Sequence, residues 1–469
     1  MKLFTASFLL PFCASSALNA IDIQGYKFFD TVTNTSVVWK GIDYYPRPNA
    51  GKLNQNNLDF FTEEYSHIWE RDIIELSALG VNAIRVYAVD PSQNHDAFMC
   101  ALDAAGIYVI VGMAAQCEGC AITNDEAPKC YSKELKRRGQ LIIKAFARYS
   151  NTLAFSAGNE VNYYAPSGKP EVNAPCQKKF LRDMRAYIAS CPTMRQVPVG
   201  VVIADAERSV NALYYNCAGD DDIYENAEWY GINVYLTCDA GVTDSAGTGF
   251  EKLKTDFEGY GYSIPVMLTE FGCLSKSFPT IDGYDAQRTF EQAKWLYESD
   301  FQNVFAGGFV FEYSTELVNS KSTSPFPFTA YGPQNFGVGY LSPENCDELD
   351  TKCIFNRMPN FDALQSSYAI EASGSISKSG FEPPASRTGR TTCPSQFPKI
   401  SDFSWESDDE DDLSCPNRIS WSCTGDNPEV EQEDEVINGS GKKSNNTSSG
   451  TIAVSGLLST FLCVAVVLF

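Results

Sequence analysis

The chain has 469 residues, 44% of them hydrophobic, which is enough for one large catalytic domain with additional tails. Its 59 acidic and 36 basic residues give a formal net charge of −23 at pH 7. Because this charge repels polyanions, it excludes DNA and RNA as partners and favours a neutral partner such as an uncharged polysaccharide.

The first twenty residues have the pattern of a secretory signal peptide. Lys2 is followed by a short apolar run over residues 3–18, and small residues allow cleavage after Ala17 or Ala20. We therefore assign residues 1–20 to a signal peptide and expect the rest of the chain to mature in an oxidising, secretory environment.

From residue 21 to about 370, apolar strand-like runs alternate with helix-like segments. Eight strands are predicted, over residues 37–43, 83–87, 107–113, 153–157, 197–203, 229–235, 264–269 and 304–311. Helices are predicted over residues 69–79, 95–105, 132–149, 177–188, 250–257 and 285–298. This alternation predicts an α/β fold, a (β/α)₈ TIM barrel. A doubly wound open sheet fits the same alternation, but no GxGxxG or P-loop motif supports it.

Composition changes after residue 370. Residues 371–437 contain three cysteines and two acidic runs, 406–412 and 429–435, which we expect to be solvated and disordered. This segment is interpreted as a linker or stalk between the barrel and a membrane.

The C-terminal segment, residues 438–469, has the pattern of a glycosylphosphatidylinositol (GPI) attachment signal. A polar stretch of small residues over 438–450 precedes an apolar stretch over 451–469. Asn438, Gly439 and Ser440 are the favoured attachment residues, with Asn445 a weaker choice. A tail anchor that is not cleaved is the alternative. Either anchor predicts a protein attached to the outer face of the plasma membrane. Transfer of the protein from the membrane to the cell wall is a further possibility.

Cysteine usage agrees with secretion. Of the 16 cysteines, Cys13 and Cys463 lie in the segments predicted to be removed, which leaves an even number for disulfides. Cys117 and Cys120 have CxxC spacing, but with only two histidines in the chain a disulfide loop is favoured over a metal site. Asn34 begins an Asn-Thr-Ser sequon and is a predicted glycosylation site.

Two glutamates stand at the ends of predicted strands. Glu160 follows the fourth strand, and Glu270 ends the seventh. In a TIM barrel the C-terminal ends of the strands meet at the active-site face, so both carboxyl groups should point into one mouth. A carboxyl group at the end of an apolar strand is costly unless it has a partner or a task.

A pair of carboxyl groups is what a retaining glycosidase needs. One stays protonated to help the leaving oxygen depart, and the other stays ionised to attack the anomeric carbon. We assign the acid/base role to Glu160 and the nucleophile role to Glu270, with Asn159 contacting the sugar 2-hydroxyl. For a retaining mechanism, the carboxyl groups of Glu160 and Glu270 should lie about 5–5.5 Å apart.

Six motifs in fixed order extend this interpretation to a family. They are Lys40-Gly-Ile-Asp-Tyr44, Asn82-Ala-Ile-Arg-Val-Tyr87, Ala157-Gly-Asn-Glu-Val-Asn162, Val197-Pro-Val-Gly200, Tyr230-Gly-Ile-Asn-Val-Tyr235 and Thr269-Glu-Phe-Gly-Cys273. Together they resemble the β-1,3-glucanosyltransferases of glycoside hydrolase family 72 over about residues 22–370. The resemblance implies that the enzyme cleaves a β-1,3-glucan donor, holds the new reducing end on Glu270 and passes it to a glucan acceptor.

The resemblance also implies roles for further side chains. Tyr87 and Tyr235 would line the donor subsites, Tyr235 would hydrogen-bond the nucleophile, and Arg85 would hold it ionised. Tyr313 is a further candidate for a sugar platform. The alternative for each tyrosine is an aromatic residue packed at a strand end.

Disulfides are implied in part. Cys238 would pair with Cys273, and Cys217 with Cys346 or Cys353.

The first departure is Glu70, which stands where the family has a cysteine, so that Cys100 lacks its usual partner and would join Cys117, Cys120 or Cys130. The second is Tyr45, which stands where the family often has glutamine on the acceptor side.

The sequence is compatible with three functions. A β-1,3-glucanosyltransferase is favoured through the resemblance, a β-glucan hydrolase of the same superfamily shares its covalent intermediate, and a catalytically silent wall protein is the alternative from another class. No cofactor is expected, because no metal or nucleotide motif is present. Neither His67 nor His95 follows a strand end, which argues against a Ser-His-Asp triad. We expect a monomer.

Overall fold

The computed structural model describes residues 18–220, 222–236, 249–272, 290–316, 336–417 and 421–423. They begin with a small antiparallel sheet of three strands, β1 (Ile21–Gln24), β2 (Lys27–Asp30) and β3 (Ser36–Val37). Within the described residues, no helix is both long and apolar enough to cross a membrane.

Eight parallel strands then close into a barrel, which confirms the predicted TIM-barrel class. In order around the barrel they are β4 (Trp39–Tyr44), β5 (Ala83–Val86), β6 (Tyr108–Gly112), β7 (Thr152–Asn159), β8 (Val199–Ala204), β9 (Tyr230–Val234), β10 (Val266–Phe271) and β11 (Phe305–Val310). Each lies within two residues of its predicted position. Their short apolar runs are buried on both faces, as expected for a parallel sheet.

Helices cover the outside of the barrel. They are α1 (Ser66–Leu79), α2 (Asp96–Ala104), α3 (Lys133–Phe146), α4 (Ala174–Ser190), α5 (Arg208–Tyr215), α6 (Phe250–Gly259), α7 (Glu291–Leu296), α8 (Ser299–Gln302) and α9 (Pro359–Tyr368). α1 ends at Gly80, whose φ of +78° is a left-handed conformation that glycine adopts without strain. α3 begins after Ser132, whose side chain accepts a hydrogen bond from the Leu135 amide.

The N-terminal sheet closes one end of the barrel. Phe28 of β2 packs edge-on against Trp39, the first residue of β4, and Trp39 packs in the same way against Tyr108, the first residue of β6. All three residues are buried. Because this plug occupies the end where the strands begin, the open mouth is at the end where they finish.

A final hairpin, β12 (Gly339–Ser342) and β13 (Ile354–Arg357), precedes α9. Asn34 is exposed in the turn between β2 and β3, where a glycan has room. The predicted attachment residue Asn438 lies outside the described residues.

The structure differs from expectation in the segment after residue 370. The first acidic run, 406–412, lies on the barrel instead of standing free in solvent, and Glu406–Asp409 forms a 3₁₀ turn. Lys136 Nζ donates to the Ser407 and Glu410 carbonyls at 3.0 and 2.6 Å. Lys179 Nζ lies 2.6 Å from Asp408 Oδ1. Lysines on α3 and α4 therefore compensate charges that composition alone predicts to repel one another. The second acidic run lies outside the described residues.

Three disulfides attach this segment to the barrel, namely Cys217–Cys393, Cys191–Cys415 and Cys100–Cys423. Cys217 was predicted to pair with Cys346 or Cys353. Those two cysteines instead bond to each other across the β12–β13 hairpin. That prediction is wrong because the tail, which the sequence pattern presents as free, passes beside Cys217.

The partners predicted for Cys100 are wrong for the same reason. Cys117 pairs with Cys120, which confirms a disulfide loop at the CxxC motif, and Cys130 pairs with Cys176. The implied pair of Cys238 with Cys273 lies outside the described residues.

Candidate active site

Glu160 and Glu270 share one cleft at the open mouth of the barrel. Glu160 directly follows β7, the fourth barrel strand, and Glu270 lies in β10, the seventh. Both line a cleft of about 490 Å³. The backbone of Glu160 has a φ of +50°, a strained conformation for a non-glycine residue and one that clusters at functional sites.

The environment of Glu160 favours its neutral form. Burial, and then the negative charge of Glu270, raise the pKa of the Glu160 carboxyl above its ordinary value. A hydrogen bond from Asn233 Nδ2 to Glu160 Oε1, 2.9 Å long, and the charge of Arg85 oppose this shift. Asn233 is itself oriented by Thr269, whose hydroxyl donates to Asn233 Oδ1 at 2.8 Å. Asn233 and Thr269 thus hold the Glu160 carboxyl group in a fixed position.

Two hydrogen-bond donors converge on the carboxyl group of Glu270. Arg85 Nη1 donates to Glu270 Oε1 at 3.1 Å, and the Tyr235 hydroxyl donates to Glu270 Oε2 at 2.7 Å. Glu270 and Arg85 are both buried, so that this pair is poorly screened by solvent. A carboxyl group that accepts hydrogen bonds from a cation and a phenol, one on each oxygen, is held in a fixed orientation.

Arg85 connects several groups on the cleft floor. Its Nη2 donates to Asn159 Oδ1 at 2.6 Å, and its guanidinium lies 4.6 Å from the ring centroid of Tyr87. Nη1 also lies 3.2 Å from Asp43 Oδ1. Burial raises the pKa of Asp43 well above its usual range, against the attraction of Arg85. Arg85 therefore bonds both Glu270 and Asn159, the residue that precedes Glu160.

Asn159 is exposed at the end of β7. Its Oδ1 accepts from Arg85 Nη2 and from Asn233 Nδ2, the latter at 3.3 Å. Because both bonds go to the oxygen, the amide NH₂ is the group left to donate to a ligand in the cleft.

Known proteins resemble this chain in sequence and in fold. The profile of the glucanosyltransferases, glycoside hydrolase family 72, matches residues 11–321. The chain belongs to this family.

Individual relatives match over most of the chain. The 1,3-beta-glucanosyltransferase PGA4 of Candida albicans is 34% identical over 306 residues, which are 65% of this chain and 61% of that protein. The 1,3-beta-glucanosyltransferase gel1 of Aspergillus fumigatus is 31% identical over 357 residues, 76% of this chain and 66% of that protein. The match thus spans between 61% and 66% of the length of these two relatives.

Solved structures of Saccharomyces cerevisiae Gas2p share the fold. Gas2p in complex with laminaritriose and laminaritetraose has a TM-score of 0.63 and 26% identity, covering 81% of this chain and 75% of Gas2p. A Gas2p mutant in complex with laminaritetraose and laminaripentaose has a TM-score of 0.61 and 27% identity, covering 82% and 75%.

In this family member, the candidate tyrosines separate into two groups. Tyr87 is half-buried and lines the cleft, and Tyr235 has 44% of its surface exposed beside Glu270. Tyr313 is fully buried, donates its hydroxyl to Asp72 Oδ1 at 2.8 Å and stacks on Phe355 with centroids 4.4 Å apart. Tyr313 is therefore a core residue, and its prediction as a sugar platform is wrong.

Several lining residues of this family member escaped the sequence reading. Phe311, Glu312 and Glu316 follow β11, the eighth barrel strand, and line the same cleft. Burial and the charge of Glu316 raise the pKa of Glu312 well above its usual range. The strand-end rule that identified Glu160 applies equally to these positions and could have found them.

Tyr45, the departure from the family pattern, also lines the cleft of this family member. Its hydroxyl donates to the Gln55 and Leu58 carbonyls at 3.0 and 2.9 Å. Because the hydroxyl is already hydrogen-bonded, Tyr45 offers a ligand mainly its aromatic ring. The glutamine that the family often has at this position would offer hydrogen bonds instead. Among the residues that the structure describes, no group of acidic, histidine or cysteine side chains could hold a metal ion.

Proposed function

We propose that this protein is a retaining β-1,3-glucanosyltransferase. The observation that carries the proposal is the difference between two carboxyl groups in one cleft: Arg85 and Tyr235 hold Glu270, while burial and the charge of Glu270 raise the pKa of Glu160. Two carboxyl groups with such different environments are what double displacement at an anomeric carbon requires.

In the first step, Glu270 attacks the anomeric carbon of a glucosyl unit and forms a covalent ester. Glu160 gives its proton to the glycosidic oxygen, which leaves as the hydroxyl of the released segment. In the second step, the ionised Glu160 takes the proton of an acceptor hydroxyl, and that oxygen displaces Glu270 from the same carbon. The new glycosidic bond retains the β configuration, and both glutamates return to their first states.

The substrate class follows from the family and from charge. Named relatives are 1,3-beta-glucanosyltransferases, and Gas2p binds laminari-oligosaccharides. The net charge of −23 suits a neutral polysaccharide as donor and acceptor.

Product analysis tests the proposal. Purified protein is incubated with a laminari-oligosaccharide of defined length, and products longer than the substrate are expected. If only shorter products form, the protein is a hydrolase. If Glu160→Gln and Glu270→Gln turn over substrate as fast as the wild type, the catalytic assignment is wrong. Glu64→Gln, at an exposed position outside the cleft, is the matched control and should retain full activity.

We also propose that the protein works at the cell surface, attached by a GPI anchor. The apolar stretch over residues 451–469, the polar small-residue segment before it and the signal-peptide pattern support this. A phosphatidylinositol-specific phospholipase should release the protein from membranes of the native cell. If the lipase leaves it membrane-bound while releasing a known GPI-anchored protein, the anchor is of another kind.

A further inference from the structure

Two exposed aromatic rings follow the acid residue directly. Tyr163 and Tyr164 have 65% and 59% of their surfaces exposed, and their rings pack edge to face with centroids 5.2 Å apart. Among the described residues, the only other exposed tyrosine is Tyr235, which is 44% exposed and donates a hydrogen bond to Glu270. Exposed aromatic rings beside a cleft mark a surface that binds something.

The cleft has an acidic part and a neutral part. Its charged lining residues are four glutamates, carried by β10, the end of β7 and the segment after β11. The neutral part is formed by Tyr164 and by the loop after β6, which contributes Gln116, Ile122 and Asn124 among other uncharged residues. A ring, an apolar side chain and two amides suit a glucosyl unit, which presents C–H groups on its faces and hydroxyls around its edge.

The two loops that form this neutral part are cross-linked. Cys130, at the end of the loop after β6, is bonded to Cys176 at the start of α4, which follows the loop of Tyr164. The Ala127 amide donates to the Val172 carbonyl at 3.0 Å. A second disulfide, Cys117–Cys120, closes a tight turn beside Gln116. The surface is therefore held in shape before a ligand arrives, which lowers the entropic cost of binding.

We propose that Tyr164, supported by Tyr163, is a distal subsite on which a glucosyl ring of a bound β-glucan stacks, with Gln116 and Asn124 bonding its hydroxyls. This rests on the proposed function, since it names the polymer that fills the cleft. The subsite is formed by side chains other than the two reacting carboxyl groups, so we expect it to contribute to the binding of long chains and to leave the chemical step unchanged.

Chain-length dependence tests the subsite. KM and kcat are measured for wild type, Tyr164→Ala and Tyr164→Phe on laminari-oligosaccharides of increasing length. For Tyr164→Ala we expect KM to rise roughly three- to tenfold on long substrates, as for loss of one aromatic contact. On the shortest substrates turned over, KM should stay at the wild-type value, and Tyr164→Phe should match the wild type throughout. Ile223→Ala, which removes a side chain 57% exposed outside the cleft lining, is the control and should change nothing.

Three results overturn the subsite. An unchanged KM in Tyr164→Ala at every length shows that the ring binds nothing. An equal rise at every length shows a general disturbance of the loop. A loss in Tyr164→Phe as large as in Tyr164→Ala shows that the hydroxyl, and not ring stacking, makes the contact. If the wild type fails to act on glucan, the proposed function fails, and calorimetric titration of the same variants with the same oligosaccharides still decides whether Tyr164 binds them.

Discussion

Arg85 Nη1 lies 3.1 Å from Glu270 Oε1 on the floor of the cleft, with both side chains buried. The same guanidinium also donates to Asn159, so that one cation orients the Glu270 carboxyl group and the Asn159 amide together. Lysine is a single point donor and cannot reproduce this planar fork.

Arg85→Lys should therefore reduce kcat by roughly 10- to 100-fold, the equivalent of losing one charge-assisted hydrogen bond. Steady-state kinetics on a laminari-oligosaccharide measure this. Arg357→Lys, which alters an ion pair with Glu75 on the surface, is the control and should keep wild-type kcat. Wild-type kcat in Arg85→Lys would mean that charge alone suffices at this position.

Tyr235 donates the second hydrogen bond to Glu270, at 2.7 Å. Tyr235→Phe keeps the exposed ring but removes the donor, and kcat should fall roughly 10- to 100-fold with little change in KM. Tyr224→Phe, outside the cleft lining, serves as the control. A rise in KM with kcat unchanged would instead assign Tyr235 to substrate binding alone.

The pH dependence should report on Glu160. Burial and the charge of Glu270 raise the pKa of Glu160, and only its protonated form can act as the acid, so kcat/KM should fall as pH rises through this pKa. The Asn233 hydrogen bond lowers the pKa by favouring the ionised form. Asn233→Ala should therefore move the alkaline limb of the pH–kcat/KM profile to higher pH. A shift to lower pH would contradict this account of the Glu160 environment.

Tyr313 should matter for stability and not for catalysis. Its buried hydroxyl donates to Asp72, which also accepts from Tyr44 at 3.0 Å. Tyr313→Phe should cost about 1–2 kcal/mol of unfolding free energy, measured by chemical denaturation, with kcat and KM unchanged. Tyr44→Phe removes the other phenol donor to Asp72 and should cost a similar amount. Loss of activity in a stably folded Tyr313→Phe protein would show that Tyr313 contributes to the active site after all.

The disulfides between barrel and tail should stabilise the protein more than the CxxC disulfide does. Cys217–Cys393 joins residues 176 positions apart, whereas Cys117–Cys120 joins residues three apart. Since stabilisation grows with the loop that a disulfide closes, replacing both cysteines of the first pair by alanine should cost roughly 3–4 kcal/mol more than the same change in the second. Equal losses of unfolding free energy would show that loop closure is not the main contribution.

Local patterns in the sequence were enough to predict the barrel and its two glutamates. Strand-forming runs such as residues 107–113 are short, apolar and bounded by turn residues, and parallel strands place their C-terminal ends at one face whatever the loops do. Glu160 and Glu270 could therefore be assigned to one mouth without coordinates. Composition and motif order added the neutral substrate class and the family.

Only the tertiary structure decided which groups meet across long separations. Composition indicates that residues 406–412 repel one another, yet lysines on α3 and α4 hold this run on the barrel. Three cysteines of residues 371–437 form disulfides with barrel cysteines, because this segment lies against the barrel. Tyr313 lies in the core, where its hydroxyl donates a hydrogen bond to Asp72. Such contacts depend on how separate elements pack, which periodicity along the chain does not encode.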